Sequence, residues 1–429
     1  MPTRKIKFPK IVSDPLWGLI DISDFLPMID TAEFQSLGYK YQLGPAFLIF
    51  PAATHTRKLH CLGAFQRTTR LVADWVDRGF ITSEQARTLR AYALYHDLGH
   101  GPFSHTTESI FHIDHDEIGL LKMRRLRKEI EACDVDFEAL EKMFTREDPL
   151  HLAVFDKNVG TEKMDYLSRD AFYTIKEAPG VDYLTKFVYY IDDKVVVDEK
   201  AIDQARALQD FYMKMYKHVY LRKKGIIAQR LIEKMTYELY EEGMGEEEIW
   251  SMTDFGLLGK FELSKNQTVR ALHGRLMRND LPKTAVELRF GKFMSADPSN
   301  LKKIAVYDIE DDAMHRLLKN ELLKTPKGFK KLEKNLADLV GMPSDDVLLV
   351  PPVFPASNLA KRFEPADVNV YRFDNSIGKL SDIYPSHFDA MREYGKSHHA
   401  IRFCVPADKR EAVSKKGAAV RDYLLNLAK

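Results

Sequence analysis

The stretch HDLGHGPFSH, residues 96–105, supplies His96, Asp97, His100 and His105 within ten residues, although the whole chain of 429 has only 14 histidines. Imidazole and carboxylate together suit a divalent transition metal, and such an ion can turn water into a nucleophile near neutral pH while screening phosphate charge. A set of packing histidines at a helix end is the alternative. It explains one lone histidine well, but not several ligand-type groups converging on one point.

Working backwards from this stretch, ITSEQ at 81–85 carries a capping box. Thr82 followed three residues later by Gln85 satisfies two orphaned backbone donors, so a helix starts there and runs through ARTLRAYALYHDLGH until Gly99, Gly101 and Pro102 stop it. His96 shares a face with Leu89 and Ala93 and so points where core residues point. Upstream, residues 57 to 78 read as a helix that is apolar over a wide arc, with His60, Ala64, Leu71 and Trp75 on one stripe and Leu62, Phe65, Val72 and Val76 on another. Gly79 is its terminator. Downstream, EKMDYLSRDAFYTI at 162–175 and a long stretch at 201–242 are expected to be helical. After about residue 290 short β-rich runs appear, among them VLLVPPVF, VNVYRF and AIRFCV. The expected architecture is mainly α, a helical core over 1–290 followed by a smaller α+β carboxy-terminal region over 291–429.

Bulk properties exclude several classes. Lys plus Arg number 64 against 63 Asp plus Glu, so no excess field marks a nucleic-acid or membrane-surface binder, and any anion must be met locally. The basic run KMRRLRKE at 122–129 reads as a solvated helix face. Three cysteines without paired spacing fit a reducing compartment. No apolar run reaches the ~20 residues of a membrane span, and no signal-type segment opens the chain. The expectation is a cytoplasmic protein with no membrane partner.

The order of motifs carries a resemblance. IDTAEFQSLGYKYQLG (29–44), FPAATHTRKLHCLG (50–63), HDLGHGPFSH (96–105), DHDEIG and EKMDYLSRD, with weaker similarity in MYKHVYLRKK and LPKTAVEL, resemble the HD-domain deoxynucleoside triphosphate triphosphohydrolases (dNTPase or dGTPase-like) over roughly residues 11–290. The resemblance implies a mainly helical HD fold and hydrolysis of a dNTP to deoxynucleoside and inorganic triphosphate. It also implies a divalent metal (Fe, Mn, Zn, Ni or Mg), a nucleotide effector and homo-oligomers.

Carried over residue by residue, it makes His60, His96 and Asp97 metal ligands, with Glu162 where the family has an aspartate. Asp165 lies on the same helical face as Glu162, Tyr166 and Arg169, and periodicity leaves the choice between the two carboxylates open. His100, His105 and His115 match the family's active-site histidines, with Glu108 in place of the usual aspartate. His115 is the expected proton donor or the group that orients His105. Arg57 and Lys163 are expected to contact phosphate. Gln42 and Leu43 would meet sugar and base, Tyr166 and Asp170 match residues on the 3′-hydroxyl side of the deoxyribose, and Tyr220 matches a family tyrosine in the substrate site. Tyr212 stands where the family has a phosphate-binding arginine, and Lys214, Lys223 or Lys224 would have to compensate, because a phenol does not replace a bidentate guanidinium. The departures at Glu162 and Tyr212 keep two alternatives in view, a nucleotidase or phosphodiesterase on another nucleotide and a nucleotide-binding scaffold with reduced catalysis.

Overall fold

The computed structural model describes residues 8–111, 114–290, 303–352, 365–396 and 400–427. Its first third is organised around two antiparallel helices that face each other, α1 (Arg57–Asp77) and α2 (Ser83–Tyr95). Thr56 caps α1 by accepting from the Leu59 amide. The capping box forms as expected, with Gln85 N–H donating to Thr82 Oγ1 at 3.2 Å and Thr82 N–H to Gln85 Oε1 at 2.9 Å. The turn between the helices passes through Gly79 at φ +75°, a conformation that costs a residue without Cβ least. A third helix, α3 (His115–Arg125), brings His115 back towards the end of α2.

A later helix, α4 (Thr161–Thr174), lies across α1. The approach is close because residue 63 is glycine: a Cβ there would overlap the side chains of Asp165 and Arg169. Gly63→Ala is therefore expected to lower the thermal unfolding midpoint. Overpacking costs ~1–3 kcal/mol, more than the ~1 kcal/mol of helix propensity that alanine returns.

The long helical stretch expected over 201–242 is broken. Helix α5 (Ile202–Met215) passes into a π-type turn (Tyr216–Tyr220), the chain extends at Arg222, and α6 (Lys223–Glu241) begins afresh. The wider turn inserts a residue into the helical register and turns Tyr220 towards α4, where its hydroxyl donates to Asp170 Oδ2 at 2.7 Å. A short helix, α7 (Asp254–Glu262), packs beyond α6.

Two four-stranded sheets complete the fold. One is built from β1 (Lys283–Phe290), β2 (Ala305–Ile309), β3 (Leu348–Val350) and β4 (Ala400–Val405), in the order β2-β1-β4-β3. The other joins a hairpin at Val188–Ile191 and Lys194–Asp198 to strands Asn369–Tyr371 and Ile377–Lys379. The β-rich runs noted in the sequence thus form strands at 348–350, 369–371 and 400–405, while residues 353 and 354 of the first run lie outside the described residues. The fold is mainly helical, and the two sheets combine carboxy-terminal strands with strands from residues 188–198 and 283–290, so β structure also enters the region expected to be a helical core; a separate two-stranded sheet pairs Ile11–Asp14 with Gly18–Asp21. In the basic run, Arg124 pairs with Glu141 and Arg127 with Glu131 and Glu138 on an exposed face, and Lys122 turns inward to the Leu98 carbonyl at 3.0 Å.

Candidate metal centre and its cavity

Helices α1 and α2 present His60 and His96 to one another, with Nε2 atoms 3.1 Å apart. The opposite nitrogens are committed. His60 Nδ1 lies 2.8 Å from Asp165 Oδ2, and His96 Nδ1 lies 2.8 Å from the Ala93 carbonyl. Two acceptors place the N–H on Nδ1 in each ring, so both Nε2 atoms turn lone pairs inward. Asp97 closes the set, with Oδ2 at 3.8 Å from His60 Nε2 and Oδ1 at 3.5 Å from His96 Nε2. Lone pairs facing each other repel unless a cation lies among them, and two imidazoles plus a carboxylate fit a divalent transition metal.

The two carboxylates left open by periodicity sit on opposite sides of His60. Glu162 Oε1 is 4.0 Å from Nε2, on the side of the centre. Asp165 is behind the ring, and both its oxygens are engaged: Arg169 grips them from Nε at 2.9 Å and Nη2 at 2.8 Å, and Trp17 Nε1 donates to Oδ1. Burial pushes the His96 imidazole down to about 4, leaving it neutral as a ligand must be. Burial alone would raise Asp97, but Arg57, His96 and His100 outweigh it and hold the carboxyl well below the usual range. Burial pushes Glu162 up to about 7.

A second constellation adjoins the first. Glu108 Oε2 lies 2.6 Å from His105 Nδ1, and its Oε1 lies 2.7 Å from His115 Nδ1. The His100 and His115 rings stack at 4.1 Å and 12°, and His100 Nε2 reaches Asp97 Oδ1 at 3.2 Å. Burial opposes charge on His115, but its bonds to Glu108 prevail and raise its affinity for a proton, whereas burial drives His100 well down.

Both groups border a cavity of about 500 Å³, and Gln42, Leu43, Arg57, Lys163, Tyr166, Asp170 and Tyr220 all line it. Their partners qualify the expected roles. Arg57 Nη1 is 2.5 Å from Asp97 Oδ2 and Arg57 Nε donates to Ser104 Oγ at 2.8 Å, so it reaches a ligand only from an existing ion pair. Lys163 Nζ donates to the Lys157 carbonyl at 2.5 Å and sits 3.8 Å from the Tyr212 ring centroid. Asp170 is held between His55 and Tyr220, each at 2.7 Å. The three lysines offered as replacements for the missing arginine are engaged away from the cavity. Lys214 pairs with Glu177, Lys223 with Glu287, and Lys224 donates to the Leu48 carbonyl.

Trp17, His55 and Ser104 were missed by sequence reasoning. Trp17 meets the site from a remote part of the chain, whereas His55 and Ser104 lie inside the quoted motifs at 50–63 and 96–105, where nothing in their spacing marks them as partners of Asp170 and Arg57. Glu233, from α6, is also at the cavity edge and is 3% exposed. Burial pushes its carboxyl up to about 7, against the pull of Arg230. A folded value above the unfolded one near 4.5 means that the folded state keeps a proton the unfolded state sheds, so the contribution of Glu233 to stability is fully present below pH 4.5 and is lost as pH rises through 7. Glu233→Gln is expected to match the parent in urea denaturation at pH 4.5 and to exceed it at pH 8, by up to a few kcal/mol.

An HD domain model matches residues 58–169 and an HD associated region model matches residues 181–317. The chain is 30% identical over 270 residues to an uncharacterized protein, YwfO, of Bacillus subtilis, covering 56% of this chain and 59% of that one. It is 28% identical over 249 residues to a SAMHD1 homolog named as a deoxynucleoside triphosphate triphosphohydrolase from Dictyostelium discoideum, covering 51% and 47%. Over 106 residues it is 40% identical to SAMHD1 of Gallus gallus, covering 24% and 17%. The matches span 59% of the length of these curated relatives at most. A crystal structure of a phosphohydrolase from Bacteroides thetaiotaomicron superposes with a TM-score of 0.68 at 22% identity, over 92% of this chain and 99% of that one, and shares the fold. The chain carries an HD domain followed by an HD associated region, and over part of its length it is similar to SAMHD1 proteins named as deoxynucleoside triphosphate triphosphohydrolases. No helix among the described residues is long and apolar enough to cross a membrane.

Proposed function

We propose that the protein hydrolyses deoxynucleoside triphosphates to deoxynucleoside and inorganic triphosphate, using a divalent cation held by His60, His96, Asp97 and Glu162. The observation that carries this reading is the 3.1 Å approach of the His60 and His96 Nε2 atoms, each ring with an acceptor at Nδ1, next to Asp97, which lines a cavity of nucleotide size together with Glu162, His100, His105 and His115. The cation, when bound, polarises the phosphate and makes water nucleophilic near neutral pH. The chain's own residues do the rest. Water adds to the α-phosphorus, the bond to the nucleoside 5′ oxygen breaks, and His115 supplies the proton to that oxygen while Glu108 fixes its ring and that of His105. Gln42, Leu43, Tyr166, Asp170 and Tyr220 hold the nucleoside, and Arg57 and Lys163 offset phosphate charge. Support also comes from the names of the matched SAMHD1 relatives.

A second reading, a nucleotidase or phosphodiesterase, is favoured by the phosphate end of the site. Tyr212 replaces the family arginine, and the Lys and Arg side chains lining the cavity are Arg57, Lys157, Lys163 and Arg230, a thin supply for a triphosphate. Purified protein assayed for bound metal, then screened with ribo- and deoxyribonucleoside triphosphates and several divalent metals, separates these readings. Triphosphate with deoxynucleoside supports the first, whereas phosphate or a linear nucleotide opened from a cyclic one replaces it with the second. Nucleotide binding without turnover in metal-loaded protein leaves a scaffold. Size-exclusion chromatography with and without nucleotide tests the effector and homo-oligomer that belong to the same proposal.

A further inference from the structure

The segment that follows Asp97 is held from outside the HD domain. Phe103 and Ser104 both adopt positive φ, 53° and 57°, and Ser104 combines this with ψ −129°, a region that non-glycine residues occupy only when their surroundings impose it. The imposing groups are identifiable. Asp254, the first residue of α7, is fully buried; its Oδ1 accepts the Phe103 amide at 2.6 Å and its Oδ2 accepts the Tyr41 amide at 2.7 Å. Lys40, 1% exposed, donates from Nζ to the His100 carbonyl at 2.5 Å, and Trp250 Nε1 donates to the Gly99 carbonyl. Ser104 Oγ, so placed, donates to the Tyr41 carbonyl at 3.0 Å and accepts from Arg57 Nε at 2.8 Å; Arg57 in turn meets Asp97 at 2.5 Å.

We propose that Asp254 and Lys40 are positioning residues: together they clamp the backbone of residues 99–104 in the strained form that seats Ser104 on Arg57 and Arg57 on Asp97. Asp254 touches none of the reacting groups and acts through the Phe103 amide. It comes from the HD associated region, 151 residues beyond Phe103, so that region directly shapes the HD-domain loop. The consequence for turnover rests on the proposed function; the consequence for loop geometry does not.

The test uses the full chain with Asp254→Asn, which keeps the volume but can accept only one of the two amides and sets an NH₂ group against the other. Hydrogen exchange of a peptide spanning residues 99–104 should accelerate at least about tenfold, the loss of roughly one such bond's worth of protection, while peptides from α1 and α2 stay unchanged. Bound metal should remain at the parental level, because His60 stands on α1 and His96 caps the end of α2. For whichever nucleotide the parent hydrolyses, kcat should fall about 100-fold, the effect of a misplacement near 1 Å, with KM nearly constant. Lys40→Met, which strips the donor from His100 while keeping chain length, should reproduce the exchange pattern. Unchanged loop exchange in folded variants overturns the proposal. So does acceleration spread evenly over the helices, a loss of kcat that only tracks loss of metal, or failure of both variants to fold. Should the parent hydrolyse no nucleotide, the proposed function fails while the exchange measurement still decides the clamp.

Discussion

Asp97→Asn is expected to bring both bound metal and turnover close to background. The carboxylate supplies the anionic member of the centre, and the neutral amide cannot balance a divalent charge beside two imidazoles. Several kcal/mol of charge stabilisation by the cation, converted at 1.36 kcal/mol per tenfold, corresponds to a loss on the order of 1,000-fold. A second cost adds to the first. Arg57, 4% exposed, loses the only carboxylate found within its reach among the described residues, and an unmatched buried charge destabilises by ~3–5 kcal/mol. Elemental analysis and urea denaturation of the same preparation check both effects. Full metal occupancy with near-parental turnover would remove Asp97 from the centre.

Asp165→Ala is expected to destabilise the fold strongly, although the carboxylate is outside the ligand cluster. Asp165 and Arg169 form a fully buried pair that Asp14 extends, with Arg169 Nη1 at 2.9 Å from Asp14 Oδ2, and Trp17 completes the group. Cutting out one carboxylate leaves Arg169 half-compensated in the interior, a loss of ~3–5 kcal/mol in a urea titration. The same carboxylate orients His60 through Nδ1, so metal affinity should fall ~10–100-fold, as it does when the partner of a ligating histidine is removed. Isothermal titration with Mn²⁺ or Zn²⁺ measures that arm, and unchanged affinity would show that His60 needs no such support. The two variants therefore differ in kind: Asp97→Asn removes a candidate ligand, and Asp165→Ala loosens one that stays.

Much of this site is written locally. His96 and Asp97 are adjacent, the capping box at Thr82 sets the start of α2 and the apolar face that carries His96, and the periodicity of residues 57–77 turns His60 inward. The histidines at 100, 105 and 115 and Glu108 lie within a few turns of chain, and the structure brings them together. The break at 216–222 escaped the same reasoning because the apolar pattern of α5 resumes in α6; only the contact of Tyr220 with Asp170 shows why the helix opens there. The carboxy-terminal strands were visible as β-rich runs, but their partners were not. Residues 369–379 return to the hairpin at 188–198, whereas residues 400–405 pair with 283–290.

By itself the sequence determined the helical class, the HD motif and the candidate ligand types, since these depend on capping chemistry, 3.6-residue periodicity and donor identity, all of which are local. Only the tertiary structure decided which carboxylate stands on the Nε2 side of His60, that Arg57 is already paired, and that Asp254 and Lys40 brace the loop. Glu162 and Asp165 share a helical face, and nothing in their spacing says which side of a ring on another helix each will meet. That depends on how closely α4 approaches α1 at Gly63, a matter of packing between segments about a hundred residues apart.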